Sequence, residues 1–210
     1  MNTMKSNQGR KRMTIILTIC FVAVLAIGGT LAWLTTTTEQ KDNAFNVVTG
    51  DGDDMKATLT EKNWKPDDAK ALRPGQSIPK DPVITNESDL EIPEWVGMKL
   101  TFTEGDGTTE LSVAQMVVLN SVIEYTPNAK WTRKNTGDPQ SQEIFYYDEV
   151  LNRTDYTNAL FDAVTVKTTA SNENLAKIKG WGGFKIVIKG AAVQGDIPAA
   201  QVKAELDGLL

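Results

Sequence analysis

The sequence predicts a mostly-β sandwich with one or two short helices. Three observations support this fold class. Segments in which apolar and polar residues alternate recur along the chain from residue 55 onward, and turns rich in Gly, Pro, Asp and Asn separate them. Only two short segments, residues 111–123 and 198–206, have apolar residues at helical spacing. The chain of 210 residues is 40% hydrophobic and 23% charged, which is ordinary for one globular domain.

We expect a secretory signal peptide before this domain. Basic residues at position 5 and at positions 10–12 precede a segment without any charged side chain, residues 13–38. The most apolar part of that segment is residues 15–27. A basic start, an apolar centre and small residues at the end are the three parts of a signal peptide.

The predicted cleavage site follows Ala32. Thr30 and Ala32 are small residues at the two positions that a signal peptidase reads, so the mature chain would begin at Trp33. The uncharged segment is also long enough to span a bilayer, and an uncleaved membrane anchor is therefore the alternative. The glycine pair at positions 28–29 and the threonine run make a poor last turn for a spanning helix, which favours cleavage.

Removal of the leader makes the chain more acidic and leaves it without cysteine. The full chain has 22 basic and 27 acidic residues; the leader takes four basic residues and no acid, so 18 basic residues remain and the net charge is −9. This charge argues against a nucleic-acid partner and against an anionic membrane surface. Cys20 lies inside the leader, where bulky Ile19 disfavours a lipoprotein signal. A cysteine-free exported domain suits a Gram-positive surface.

The composition argues against an enzyme. The chain contains no histidine, which excludes His-Glu-x-x-His zinc sites and Ser-His-Asp triads, and the mature chain has no thiol nucleophile. Carboxylate chemistry of the glycosidase kind remains open, but the acids are scattered. The acidic turn at residues 50–54 lacks the spacing of a Ca²⁺ loop, which favours a solvated turn. We therefore expect no catalytic, cofactor-binding or metal-binding residues.

The strands are predicted from period-two alternation and β-branched content. An extended segment is expected at residues 34–38, and strands are expected at residues 45–49, 55–61, 83–85, 95–103, 130–133, 143–147, 160–166 and 184–194. This amounts to about eight strands. Three prolines, at positions 74, 79 and 82, restrict the segment before residue 83 to an edge strand or a connection.

Two helices and a set of aromatic residues complete the prediction. Ser112 is a candidate N-cap for a short helix within residues 111–123, and Pro198 suits the first turn of a second helix. Aromatic residues in strands usually pack in the core or at its rim, and we expect such packing rather than a ligand-binding face for Trp131, Phe145, Tyr146, Tyr147 and Trp181.

The segment around the predicted cleavage site resembles a known family. Gly28-Gly29-Thr30-Leu31-Ala32-Trp33-Leu34 followed by Asn43-Ala44-Phe45-Asn46-Val47 is similar to the junction in TasA/camelysin-like proteins, which a SipW-type signal peptidase processes. The later segments 74–75, 80–86, 145–151, 160–164 and 189–194 are similar to the BsaA-like branch of these biofilm matrix proteins. Thr36 stands where family members often have an acid. The metalloprotease label of the camelysin branch does not carry over to a chain without histidine.

The resemblance implies a jelly-roll domain, residues 49–210, that polymerises into extracellular fibres by donor-strand exchange. The extended segment, residues 33–48, would complete an open sheet edge on the next subunit. Alternate side chains anchor an added strand, and we expect this role for Trp33, Leu34, Phe45 and Val47. Removal of residues 1–32 would then permit assembly.

The same resemblance implies the partners and the location of the protein. The partners are a SipW-type signal peptidase, further copies of this chain and other biofilm matrix components, with membrane contact only through the uncleaved leader. The protein would be secreted to the matrix or surface of a Gram-positive bacterium. The alternative is a monomeric surface or matrix-binding module whose N-terminal strand folds back into its own sheet.

Overall fold

The computed structural model describes residues 35–37, 47–48, 54–65, 69, 72–88, 91–134 and 139–210. Within these residues the protein is mostly β, with antiparallel sheets and three short helices. The strands are β1 (Thr35–Thr37), β2 (Val47–Val48), β3 (Asp54–Met55), β4 (Ala57–Glu61), β5 (Ser77–Pro79), β6 (Pro82–Asn86), β7 (Glu94–Glu104), β8 (Ile123–Glu124), β9 (Trp131–Arg133), β10 (Gln142–Tyr147), β11 (Ala163–Val166) and β12 (Phe184–Gln194). The helices are α1 (Val113–Val122), α2 (Asn172–Gly180) and α3 (Ala199–Leu209).

The largest sheet has five strands in the order β1-β12-β7-β10-β9. Its two long strands, β7 and β12, pair antiparallel over eleven residues, from Glu94 opposite Gln194 to Glu104 opposite Phe184. β10 pairs with the other edge of β7 and with β9, as the predicted hairpin requires. The turn expected between β9 and β10 lies mostly outside the described residues.

The core lies on one face of this sheet. Four alternate residues of β7 are fully buried there: Val96, Met98, Leu100 and Phe102. They belong to a cluster with apolar residues of β4, β6, α1 and β11, among them Ala57, Leu59, Ile84, Met116, Leu119, Val164 and Val166. Burial of each large apolar side chain contributes roughly 1.5–3 kcal/mol relative to exposure. A large sheet covered on one face by smaller sheets is consistent with a β-sandwich.

The smaller sheets contain the proline-rich part of the chain. β6 pairs with β4, and β5 lies at the edge of a three-stranded sheet in the order β5-β11-β8. The sequence restricted the segment before residue 83 to an edge strand or a connection, and β5, which Pro79 ends, lies at the edge of its sheet. Pro82 is the first residue of β6, which pairs with β4 on one side and forms backbone hydrogen bonds with residues 154–160 on the other. Proline has no N–H to donate, which is why it occurs at such positions.

Both predicted helices are present. Ser112 caps α1: its hydroxyl accepts from Gln115 N, and the Gln115 side chain accepts from Ser112 N, which is a capping box. The C-terminal helix α3 begins at Ala199, with Pro198 at the N-cap and not in the first turn. The α1 chain continues directly into β8.

The prediction missed α2 and several short strands. α2 has one buried apolar residue, Ile178, so it lacks the apolar stripe from which a helix is recognised. Local interactions mark it instead: the Ser171 hydroxyl caps Asn174 N, and Glu173 pairs with Lys177 one turn later.

The structure describes twelve strands where about eight were expected, because several pair over only two or three residues. β11 begins at Ala163, after Leu160 and Phe161, whose side chains are buried before the strand starts.

Candidate functional site at the β12 edge

The edge of β12 is the place where the N-terminal segment joins the domain. β12 pairs with β7 along its whole length, and on its other side, among the described residues, it pairs with the three residues of β1. The register places Thr35 opposite Val193, Thr36 opposite Ala192 and Thr37 opposite Ala191. β1 belongs to the segment that we expect cleavage of the leader to release. This segment therefore contributes a short strand to the edge of the main sheet.

The residues of β12 under β1 are small and fully buried. Ala191, Ala192 and Val193 have no exposed surface. Their side chains alternate between the core face of the sheet and its outer face. Small side chains let another strand approach closely and offer little specificity by themselves, so backbone hydrogen bonds dominate this contact.

Helix α3 covers the outer face of the same part of the sheet. At Gly97 a Cβ would lie 3.1 Å from Leu210 Cδ1 and 3.1 Å from the Phe145 carbonyl oxygen, which shows how closely the C-terminal end packs on β7. The Tyr146 hydroxyl donates to Asp207 Oδ1 at 2.5 Å, and Lys134 pairs with the same carboxylate at 2.7 Å. These contacts attach α3 to β10 and to the residue that follows β9, and Lys189 of β12 also donates a hydrogen bond to the end of α3.

A buried polar cluster surrounds Glu94 of β7. β1 pairs with β12 as far as Val193, and the next residue of β12, Gln194, is opposite Glu94. Glu94, opposite Gln194, is fully buried. The Ser88 hydroxyl donates to Glu94 Oε1 at 2.8 Å, while Oε2 has no hydrogen-bond partner among the described residues. Asn86 holds the Ser88 backbone: its Oδ1 accepts from Ser88 N at 3.0 Å, and its Nδ2 donates to the carbonyls of Ile92 and Leu151.

The carboxyl of Glu94 is destabilised in its charged form. Burial raises the pKa of Glu94 to about 8, and the Ser88 hydrogen bond lowers it by less. At neutral pH the folded protein therefore holds this carboxyl mostly as the neutral acid. No cluster of acid or thiol groups that could hold a metal ion occurs in the part of the chain that the structure describes.

A second unusual charge arrangement lies further along the sheet. Lys189 of β12 and Lys99 of β7 are directly opposite each other. Lys189 Nζ donates to the Leu209 carbonyl oxygen at 2.5 Å, at the C-terminal end of α3. Burial, and then the charge of Lys99, lower the pKa of Lys189.

Comparison of this chain with protein-family models, with curated proteins and with solved structures found no match. The family resemblance at the cleavage junction therefore stays an expectation from the sequence, and the arguments that follow depend on the geometry of the β12 edge.

The residues predicted for processing and assembly lie mostly outside the described residues. This holds for Ala32, Trp33, Leu34 and Phe45. The backbone of Val47 is described, in β2, where it pairs with Met55 of β3. The acidic turn before β3 is likewise outside the described part. Among the described residues, no helix is long and apolar enough to cross a bilayer.

Trp131, Phe145, Tyr147 and Trp181 pack in or against the core cluster, and Tyr146 is buried outside that cluster, where its hydroxyl donates to Asp207 of α3. Trp131, Phe145, Tyr146 and Tyr147 are buried, and Trp181 packs partly buried against the core cluster. Trp131 and Tyr147 contact each other with ring centroids 5.0 Å apart.

Sequence reasoning missed the two charge features beside this edge. Glu94 continues the core-facing series of β7 by one position, so an acid at the start of an alternating strand was the available signal. The Lys99–Lys189 pair had no signal in the sequence, because only the strand register brings the two residues together.

Proposed function

We propose that this protein is a structural subunit of extracellular fibres, and that its N-terminal segment joins subunits by strand exchange. The observation that carries this proposal is the pairing of β1 with the outer edge of β12. β1 is three residues long and lies at the edge of the sheet. It begins three residues after Ala32, which the predicted cleavage site follows. It belongs to a segment that the uncleaved leader would tether and that cleavage would release.

A strand that pairs with its own sheet can pair with an identical sheet in a second copy. Such an exchange forms the same backbone hydrogen bonds between two chains that were formed within one. Because donor and acceptor are different surfaces, the contact is head-to-tail and need not close into a ring. Repetition of the contact produces a filament.

Several further properties follow from this proposal. The domain, residues 49–210, would form a jelly-roll-like acceptor, and residues 33–48 would be the donor, anchored by Trp33, Leu34, Phe45 and Val47. A SipW-type signal peptidase would remove residues 1–32, and fibres would form in the matrix or at the surface of a Gram-positive bacterium. The protein would act without catalysis and without a cofactor.

Deletion of residues 33–40 from the mature protein is the direct test. We expect the shortened protein to stay folded and to form no fibres, because it lacks β1 and the chain on both sides of it. Electron microscopy at rising protein concentration measures fibre formation, and circular dichroism measures folding. Fibres of normal appearance and yield from the shortened protein would show that this segment is not the donor.

A matched control keeps the length of the segment. Replacement of residues 33–40 by a Gly-Ser sequence retains the tether but removes the β-branched residues that favour a strand. We expect this variant also to remain monomeric.

The second candidate is a monomeric surface or matrix-binding module. The intramolecular pairing of β1 with β12 favours it, since a chain that completes its own sheet needs no partner. Size-exclusion chromatography of the mature protein over several hours separates the two candidates. A constant monomer peak at high concentration supports the module, and a growing excluded fraction supports the fibre subunit.

A further inference from the structure

The outer face of the main sheet carries three lysines without an acidic partner among the described residues. Leu100 of β7 faces the core, so its neighbours Lys99 and Thr101 project from the opposite, outer face. Lys189 of β12 is directly opposite Lys99 and shares this face. Lys185 lies on the same face, four residues before Lys189 and about 13 Å away along the strand.

Lys99 and Lys189 form an unfavourable pair. Residues directly opposite each other on antiparallel strands have Cβ atoms about 5 Å apart, and like charges at such positions are destabilising. Neither ammonium forms an ion pair with a carboxylate of the described residues. Both side chains are half-buried, and burial, then the charge of Lys99, lowers the pKa of Lys189. One anion between the two ammonium groups would offset this repulsion.

Two acids that border this face have other partners. Asp207 of α3 pairs with Lys134, and Glu110 accepts hydrogen bonds from two side chains at the start of β10. Lys189 Nζ donates to the carbonyl oxygen at the end of α3, which uses one of its three N–H groups. In the part of the chain that the structure describes, the other donors of Lys189 and those of Lys99 are therefore available to a ligand.

Beside the lysine pair the face is apolar and weakly polar. Val187, Thr101 and Gln142 form the next row across β12, β7 and β10. Val187 and Thr101 are half-buried, and Gln142 is exposed. A sugar ring has C–H groups on its faces and hydroxyls at its edge, so an apolar side chain next to a hydroxyl and an amide suits it.

The sheet restricts the kind of ligand that this face can bind. β7 pairs with β12 on one side and with β10 on the other, so its backbone groups are used within the sheet and a ligand meets side chains alone. A peptide binds a sheet by adding a strand at an edge, which a face does not offer. The net charge of −5 disfavours nucleic acid, whose binding depends on many phosphate contacts. These properties favour a sugar chain with separate carboxylates.

We propose that the outer face of the main sheet binds an acidic polysaccharide, and that Lys99 and Lys189 together hold one carboxylate of a uronic acid residue. Val187 and Thr101 would lie under the sugar ring, and Lys185 would reach a second carboxylate of the same chain. The inference goes beyond the proposed fibre function and does not depend on it, because all of these residues belong to one subunit.

Binding of a galacturonic acid hexasaccharide to the mature protein tests this site. Isothermal titration calorimetry measures the dissociation constant, which should rise as salt is added. We expect Lys99→Gln and Lys189→Gln each to weaken binding about tenfold, because each removes a charge-assisted hydrogen bond to the carboxylate. If the parent protein does not bind the hexasaccharide up to the solubility limit of the sugar, the inference is wrong.

Lys177→Gln is the matched control for net charge. Lys177 of α2 is an exposed lysine that pairs with Glu173 of the same helix. We expect the affinity of this variant to stay within about twofold of the parent value, because a single distant charge has a small effect. Equal losses of affinity in Lys177→Gln and Lys99→Gln would show a general effect of charge and would overturn the site.

Lys99→Gln also separates binding from folding. Lys189 contacts the end of α3, so Lys189→Gln can loosen that helix, whereas Lys99 has no such contact among the described residues. Because Lys99→Gln removes a repulsion, we expect the free variant to melt at or above the temperature of the parent. The hexasaccharide should raise its melting temperature less than that of the parent. A free Lys99→Gln variant that melts well below the parent would show that Lys99 supports the fold, and would overturn its assignment to the site.

Two further probes test the class of ligand. The hexasaccharide with methyl-esterified carboxyls keeps the sugar rings but loses the negative charges, and it should bind at least about tenfold more weakly. Inorganic polyphosphate of similar length shows whether phosphate is the preferred group. Equal binding of the methyl ester, or tighter binding of polyphosphate, would overturn the assignment to an acidic sugar.

Discussion

Glu94→Gln should make the protein more stable at pH 9 and remove most of the fall in stability between pH 5 and pH 9. The folded protein raises the pKa of Glu94 to about 8 from its ordinary value of 4.5, because the side chain is fully buried and its Oε2 has no partner among the described residues. Below pH 4.5, the ordinary pKa of this carboxyl in the unfolded chain, Glu94 is protonated in both the folded and the unfolded state. Its ionisation therefore does not affect stability at low pH. Above that value the unfolded chain loses its proton first.

The sign of the effect follows from proton binding. Between about pH 4.5 and pH 8 the folded state keeps a proton that the unfolded state has released, so rising pH favours unfolding. One pKa unit corresponds to about 1.4 kcal/mol, which limits the total loss to roughly 5 kcal/mol. Structural relaxation and entry of water reduce this value, and we expect a difference of about 2–4 kcal/mol between variant and parent at pH 9.

Urea unfolding of both proteins at pH 5, 7 and 9 measures this difference. The glutamine is neutral at every pH and can still accept from Ser88, so near pH 5 the two stabilities should agree within about 1 kcal/mol. Ser88→Ala is a useful control, since it removes the hydrogen bond but leaves the acid and its pH dependence. Stability curves of parent and Glu94→Gln that remain parallel from pH 5 to pH 9 would contradict the assignment.

Glu61→Leu should destabilise the fold by about 3 kcal/mol, because it leaves a buried ammonium without its partner. Lys80 Nζ lies 2.7 Å from Glu61 Oε1, and the two side chains are 7% and 18% exposed. The same ammonium lies 4.6 Å from the centre of the Trp64 ring. This ion pair joins the end of β4 to the connection between β5 and β6. Its loss should therefore weaken the packing of these strands against the core.

The exposed pair Lys130–Glu149 provides a matched comparison. Its nitrogen–oxygen distance is also 2.7 Å, but its side chains are 49% and 55% exposed. Glu149→Leu should therefore change the free energy of unfolding far less than Glu61→Leu does, because solvent screens an exposed pair. The double variant Glu61→Leu/Lys80→Met should recover most of the loss, since neither charge remains to be desolvated. Equal effects of Glu61→Leu and Glu149→Leu, measured by urea unfolding, would show that burial does not set the cost.

Strands with clear alternation were the part of the fold most accessible from the sequence. β12 was predicted with the bounds that the structure gives, and β7 differs by one residue at each end. Both have apolar residues at every second position, and both are long enough for the pattern to stand out. The Ser112 cap was also readable, because a capping box is a local interaction of four consecutive residues.

The short strands were less accessible for a physical reason. β2, β3 and β8 pair over two residues each, and so short a segment carries no detectable period. Tertiary contacts, and not the local sequence, hold such residues in an extended form. The prediction missed α2 for a different reason. The sequence of α2 has the local signals of a helix but little apolar surface to bury.

The sequence by itself determined the leader pattern, the absence of histidine, the edge position of the proline-rich segment before residue 83 and the positions of the main strands along the chain. Each of these depends on residue type or on local periodicity. Only the tertiary structure decided that β1 lies on β12, that Glu94 is buried beside that edge, and that Lys99 faces Lys189. These features depend on strand register, which joins residues far apart in the chain, and a slip of one position would turn every side chain of the strand to the other face.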